Sequence, residues 1–152
     1  MVEGRGRRIE TPSAFAQDDG TADPRLRAAL EGGDSAAVLG MLQSGARLLV
    51  PIVAVLDEAD GSGADKSSHM AAVSLVQEDG RRGLLAFTSL ESMRAWDPAA
   101  RPVPVPAPDA AAAALAEGAD GVLVDIAGPV RFALDGDVLA DLASRAAATP
   151  GR

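Results

Sequence analysis

The stretch 83-GLLAFTSLESMRAW-96 decides the fold class. An apolar run of strand length ends at Phe87, two hydroxyl residues follow, and the next segment reads as a helix that ends at the chain's only tryptophan. Strands that alternate with helices along a chain point to an α/β arrangement. Upstream, "MAAVSLVQ" (70–77) reads as a strand, and Asp79-Gly80 marks a hairpin turn that makes "RGLLAF" its antiparallel return.

Further upstream, "DPRLRAALEGG" offers Asp23 as N-cap, Pro24 at the first helical position and Gly32-Gly33 as a stop. "DSAAVLGMLQSGA" repeats the pattern, with Asp34 as cap, Val38, Leu39, Met41 and Leu42 as an apolar stripe and Gly45 as the stop. "RLLVPIVAVL" (47–56) is apolar without alternation, as in a strand buried on both faces. Pro51 has no N–H for a ladder, which a bulge or a strand start at Ile52 reconciles.

Downstream, "RPVPVP" (101–106) reads as a strand, "DAAAAALAEG" as a helix capped by Asp109 and stopped by Gly118, and "GVLVDI" as a buried strand after the Asp120-Gly121 turn. Gly128-Pro129 then turns the chain into "VRFAL", and Asp137 caps the last helix, "VLADLASRAA". The N–H groups of residues two apart in a strand face one edge. Pro102, Pro104 and Pro106 therefore strip one edge of donors, while Val103 and Val105 keep theirs on the other. Such a strand belongs at the border of a sheet; a surface polyproline II segment is the competing reading.

Is Ser89 a nucleophile on a strand-to-helix turn? The G-x-S-x-G elbow needs glycines for its tight turn, and Ser89 has none among its flanks. A serine also needs a base, and the one histidine, His69, lies at the end of the polar stretch "DEADGSGADKSSH". Thr88 to Glu91 instead fits a capping box, with the Thr88 hydroxyl on the N–H of residue 91 and Glu91 reaching back. That polar stretch also fails as a calcium loop. With Glu58, Asp60 and Ser62 as its first ligands, His69 falls where a bidentate Glu is required.

Composition narrows the function classes. The chain has 152 residues, 47% of them apolar but only 3% aromatic, enough for one compact core of aliphatic side chains. Its net charge of −8 argues against nucleic acid and anionic membrane surfaces as partners. Cysteine is absent, so thiol chemistry and thiolate metal sites are excluded, and a lone histidine completes no transition-metal site. No metal or cofactor is expected, and a cytoplasmic location fits a chain with neither a secretory leader nor a stretch of the ~20 apolar residues that span a membrane.

The order of these segments is familiar. The proline-containing strand "LLVPIVAVL", then "LLAFTSLESMRAW", an Ala-rich helix, "GADGVLVDIAGPV" and a closing helix resemble the SseB family N-terminal domain over roughly residues 23–145. The resemblance is closest to the small actinobacterial versions. It implies a mixed α/β fold and supplies no catalytic residues. Many relatives carry an Asn-Pro-Gly type turn where this chain has Asp125-Ile126-Ala127-Gly128-Pro129, so no ligand role tied to that Asn carries over.

The expectation is a single α/β domain at 23–145, with a mixed sheet of about five or six strands and flanking helices. A disordered tail at 1–22, including Arg5, Arg7 and Arg8, would precede it, and 146–152 would be a flexible C-terminus. The leading functional expectation is a non-catalytic interaction or regulatory module. Its candidate surface is Thr88, Trp96 and Arg101, with Trp and Arg being frequent anchors of interfaces. Trp96 has a competing role as lid of the core. The alternative is a small-molecule binder or enzyme using the hydroxyl and carboxylate groups of Thr88, Ser89 and Asp125. Partners would then be an unknown protein, a small ligand or a second copy bound through an exposed sheet edge or helix face.

Overall fold

The computed structural model describes residues 2–4, 18–56, 68–128 and 130–147. Three residues form β1 (Val2–Gly4). Asp23 then caps α1 (Pro24–Glu31), its carboxylate accepting from the Arg25 N–H at 2.9 Å. Asp34 does the same for α2 (Ser35–Gln43), accepting from the Ala37 N–H at 3.0 Å. Gly33 and Gly45 follow these helices at φ +70° and +97°, the left-handed backbone that ends a helix without steric cost.

The strands are β2 (Arg47–Leu56), β3 (Ser68–Val76), β4 (Arg82–Ala86), β5 (Arg101–Pro106), β6 (Gly121–Val124) and β7 (Phe132–Asp135). Between and after them lie α3 (Leu90–Trp96), α4 (Ala107–Ala116) and α5 (Gly136–Ala147). The strands form one sheet in the order β5-β2-β3-β4-β6-β7, with β1 pairing β3 off that path. All these pairings are antiparallel except β4 with β6, which is parallel. The mixed α/β sheet with flanking helices expected from the sequence is the observed fold.

The prolines explain how the sheet curls. Leu49 and Phe87 exchange backbone hydrogen bonds of 2.7 and 2.8 Å, so the Leu49 N–H faces the end of β4. Two residues on, Pro51 faces the same edge and has nothing to donate, and the ladder to β3 begins only at Ile52 opposite Ala72. The strand itself starts at Arg47, because its other edge is paired with β5 from Arg47 to Ile52, past Pro51 without interruption. The strand β5 is at the border of the sheet, and Val103 and Val105 face Val50 and Leu48 across the ladder.

Alternation divides the apolar residues between the two faces of the sheet. Leu48, Val50, Leu84, Ala86, Val122, Val124 and Leu134 join the larger core with residues from α1, α2, α4 and α5. Leu49, Val73, Leu85 and Phe87 point the other way, against Met93 and Trp96 of α3. Burial on both faces accounts for the lack of polar alternation in β2 and β4.

Four placements differ from expectation or fall beyond the described part. Helix α4 opens at Ala107 with Pro106 at its N-cap and Pro108 in its first turn, so Asp109 is a first-turn residue and not the cap. A proline that already fixes φ there makes a polar cap dispensable. His69 belongs to β3, opposite Val55, not to the polar loop. Residues 18–22, assigned to the tail by the sequence, run against α3, with the Gly20 carbonyl accepting from the Leu90 N–H at 2.8 Å. Arg5, Arg7, Arg8 and the calcium-like stretch 57–67 lie outside the described residues.

Candidate functional site

The parallel pair brings the carboxyl ends of β4 and β6 side by side, the place where open α/β sheets bind their ligands. Two polar segments leave these ends. Thr88-Ser89 continues from β4 into α3, and Asp125 follows β6, its N–H donating to the Ala86 carbonyl at 3.0 Å. Asp125 has φ +54° and is only 3% exposed. A non-glycine residue in the left-handed region carries a conformational cost, which Asp and Asn tolerate best.

Its carboxylate is fully engaged. Oδ1 accepts from the Thr88 N–H and the Ser92 hydroxyl, both at 2.8 Å, and Oδ2 accepts from the Thr88 hydroxyl at 2.6 Å. Charge-assisted bonds of this kind are the strong ones, and burial raises the cost of losing them. Thr88, Ser89, Ser92 and Asp125 are all buried.

The capping box exists, one residue later than the sequence suggested. Ser89 is the N-cap, its hydroxyl accepting from the Ser92 N–H at 3.0 Å, while the Ser92 hydroxyl accepts from the Ser89 N–H at 3.3 Å. Thr88 is withdrawn from capping because the carboxylate takes its hydroxyl. Glu91, displaced from the box, reaches the surface and meets Arg27 at 3.1 Å.

Arg47 ties the lead-in to this end of the sheet. Its guanidinium donates to Asp18 at 2.5 Å, to the Thr88 carbonyl at 2.7 Å and to the Thr21 carbonyl at 2.6 Å. Both charged side chains are 13% exposed. The Asp19 carboxylate accepts from the Thr21 N–H at 2.9 Å, and that backbone hydrogen bond holds its pKa below the ordinary carboxylate value. Gly20 sits between them at φ +83°, where a Cβ would come within 2.8 Å of the Leu90 Cβ.

Two hollows meet at Arg27. The inner one, lined by Leu30, Thr88, Ser89, Ser92, Asp125 and Val130, offers about 20 Å³, room for about one or two waters. The outer one is an open groove of about 510 Å³ between the 19–22 segment and α3, walled by Asp19, Thr21, Leu90, Glu91 and Arg94. Among the described residues, no group of three or more His, Asp or Glu could hold a metal. No helix among them is long and apolar enough to cross a membrane.

The structure thus joins Thr88, Ser89 and Asp125, which the sequence offered as one alternative. It separates Thr88 from the surface proposed for it, since that residue is 7% exposed. Trp96 is half-buried, its ring 5.7 Å from that of Phe87 at an interplanar angle of 31°, and Arg101 is exposed on β5. Ser92 and Arg47 escaped the sequence reading. Ser-x-x-Ser at 89–92 was a readable cap signal, whereas nothing around Arg47 announces its three acceptors.

The family model described as SseB protein N-terminal domain matches residues 24–141 of the chain. No curated protein and no solved structure matches it.

Proposed function

The chain belongs to the SseB N-terminal domain family, and on that premise we propose that it acts as a non-catalytic, cytoplasmic protein-interaction or regulatory module. The observation that carries this reading is the engagement of Asp125. The one buried carboxylate at the strand ends accepts three hydrogen bonds, and the three hydroxyls around it are spent on it and on the start of α3. Groups so engaged brace a surface; they do not attack a substrate. The surface they brace runs from half-buried Trp96 through the 97–100 turn to exposed Arg101, with Thr88 fixing α3 from beneath. Trp and Arg beside a rigid turn have the chemistry of an interface anchor.

Quantitative co-purification from a cell extract tests the proposal. One partner should be enriched by the wild-type protein and lost with Trp96→Ala and with Arg101→Glu, while Glu78→Gln, on the far hairpin turn, retains it. Repeated failure to enrich a partner, or equal enrichment by all variants, overturns the reading.

One observation favours a second reading, a small-molecule binder. The Thr88 hydroxyl and Asp125 carboxylate lie 2.6 Å apart beside the hollow that Arg27 overhangs. A ligand of the native state raises its apparent stability, so a thermal-shift screen of metabolites and nucleotides should yield a rise in Tm that Thr88→Val abolishes. The small inner volume makes this reading the weaker of the two.

A further inference from the structure

The two borders of the sheet are built differently. On β5 the outward backbone positions are Pro102, Pro104 and Pro106, which have no N–H to offer. At the other border, β7 pairs with β6 alone among the described residues. The parity of that ladder can be read from β6. The Asp125 N–H points to β4, so those of Val122 and Val124 point to β7, where they face Leu134 and Phe132. The N–H and C=O groups of Arg131, Ala133 and Asp135 therefore point outward from the sheet.

Side chains follow the same alternation. Leu134 is buried and Phe132 packs on the larger core, whereas Arg131, Ala133 and Asp135 are exposed on the opposite face. We propose that β7 is the dimerisation edge of this protein, and that a second copy of the chain adds to it antiparallel about a two-fold axis through Ala133. This register is fixed by charge. It sets Arg131 of each copy opposite Asp135 of the other, and it is the register in which the outward-pointing backbone groups meet as hydrogen-bonded pairs.

Three further features suit this partner. Ala133 at the axis puts two methyl groups face to face, where any larger side chain would crowd its own copy. Asp135 already meets Arg81 at 3.6 Å, so the added Arg131 lengthens an existing row of alternating charge. Val138, one of two large apolar side chains left exposed among the described residues, stands in the first turn of α5, three residues past the edge. An isologous contact of this kind closes on itself and leads to a dimer, not a fibre.

Sedimentation of the full chain over a wide concentration range tests the proposal. Wild type should show a reversible monomer–dimer equilibrium. Ala133→Pro removes only an outward N–H, copying the device of β5, and should leave a monomer of unchanged far-UV circular dichroism. Arg131→Asp sets like charges opposite each other twice and should weaken the dimer by about tenfold or more. The double variant Arg131→Asp/Asp135→Arg should restore it. That rescue keeps the idea testable even if Ala133→Pro misfolds. A wild type that stays monomeric at millimolar concentration, or a dimer that Arg131→Asp leaves intact, overturns it.

Discussion

Two carboxylates flank the start of α3, Glu91 from its own first turn and Asp125 from the end of β6, and they do opposite kinds of work. Asp125 lies at the floor of the cleft, 3% exposed, and accepts three hydrogen bonds that join β4, β6 and α3. Glu91 lies at the rim with its side chain 80% exposed and meets one arginine, itself 45% exposed. The chemistry of the acid is nearly the same in both. Burial makes the difference, because solvent replaces a lost partner at the rim and cannot do so at the floor.

The largest effect should follow from emptying the floor. Asp125→Ala leaves the Thr88 N–H and hydroxyl without acceptors, returns the Ser92 hydroxyl to the Ser89 carbonyl at 2.9 Å and puts alanine in a left-handed backbone, a loss of about 3 to 5 kcal/mol. Urea unfolding should show it as a lower midpoint with an unchanged slope. Asp125→Asn keeps an acceptor and tolerates the φ, so it should cost about half as much. A loss below 1 kcal/mol for Asp125→Ala would place the bracing of this end elsewhere.

Next comes the lead-in. Gly20→Ala combines a positive φ with a Cβ that would sit 2.8 Å from that of Leu90, both of them backbone-fixed atoms. The 18–22 segment should detach, lowering stability by about 1 to 3 kcal/mol. Amide exchange would report the loss locally, as faster exchange at Leu90, whose N–H that segment accepts. Arg47→Met should have the same local signature, since Asp18 and two carbonyls lose their donor together. Unchanged exchange at Leu90 in both variants would mean that the segment contributes nothing to the start of α3.

A smaller effect belongs to the cap. Ser89→Ala removes the acceptor of the Ser92 N–H and should cost about 1 kcal/mol, a fall in Tm of about 2 to 4 °C for a chain of this size. Ser92→Ala should cost somewhat more, because that hydroxyl also donates to Asp125. The reverse order would mean that the cap, and not the carboxylate, governs this turn.

These comparisons also show where the sequence was legible. Strands and helices were, because their signals are local: Asp23 and Asp34 before apolar stripes, Asp79-Gly80 between two strands, prolines at every second position of β5. Those prolines left an edge strand and a surface polyproline II segment as the two readings, and the ladder to β2 decides for the edge strand. Partnership across distance was not legible. Thr88 looked like a cap because Glu91 lies three residues on, and only the parallel pairing of β4 with β6, which no local signal encodes, brings Asp125 in to claim its hydroxyl. The cap then passes to Ser89, and Glu91 is released to the rim. One long-range contact reassigns three neighbouring side chains.

The least effect is expected at the rim itself. A double-mutant cycle on Arg27→Ala and Glu91→Ala should return a coupling of about 0.5 kcal/mol or less, and salt at 1 M should abolish it. Asp19 extends the same logic to pH. Its folded pKa lies below the unfolded one, so the stability it contributes is present above the unfolded carboxylate value and is lost as pH falls through the folded value. Asp19→Asn should flatten that acid limb slightly and change nothing at neutral pH beyond the loss of a charge. A coupling between Arg27 and Glu91 as large as the effect of Asp125→Ala would overturn the ordering by burial, since a pair that water reaches from both sides would then be holding the cleft as firmly as the carboxylate sealed beneath it.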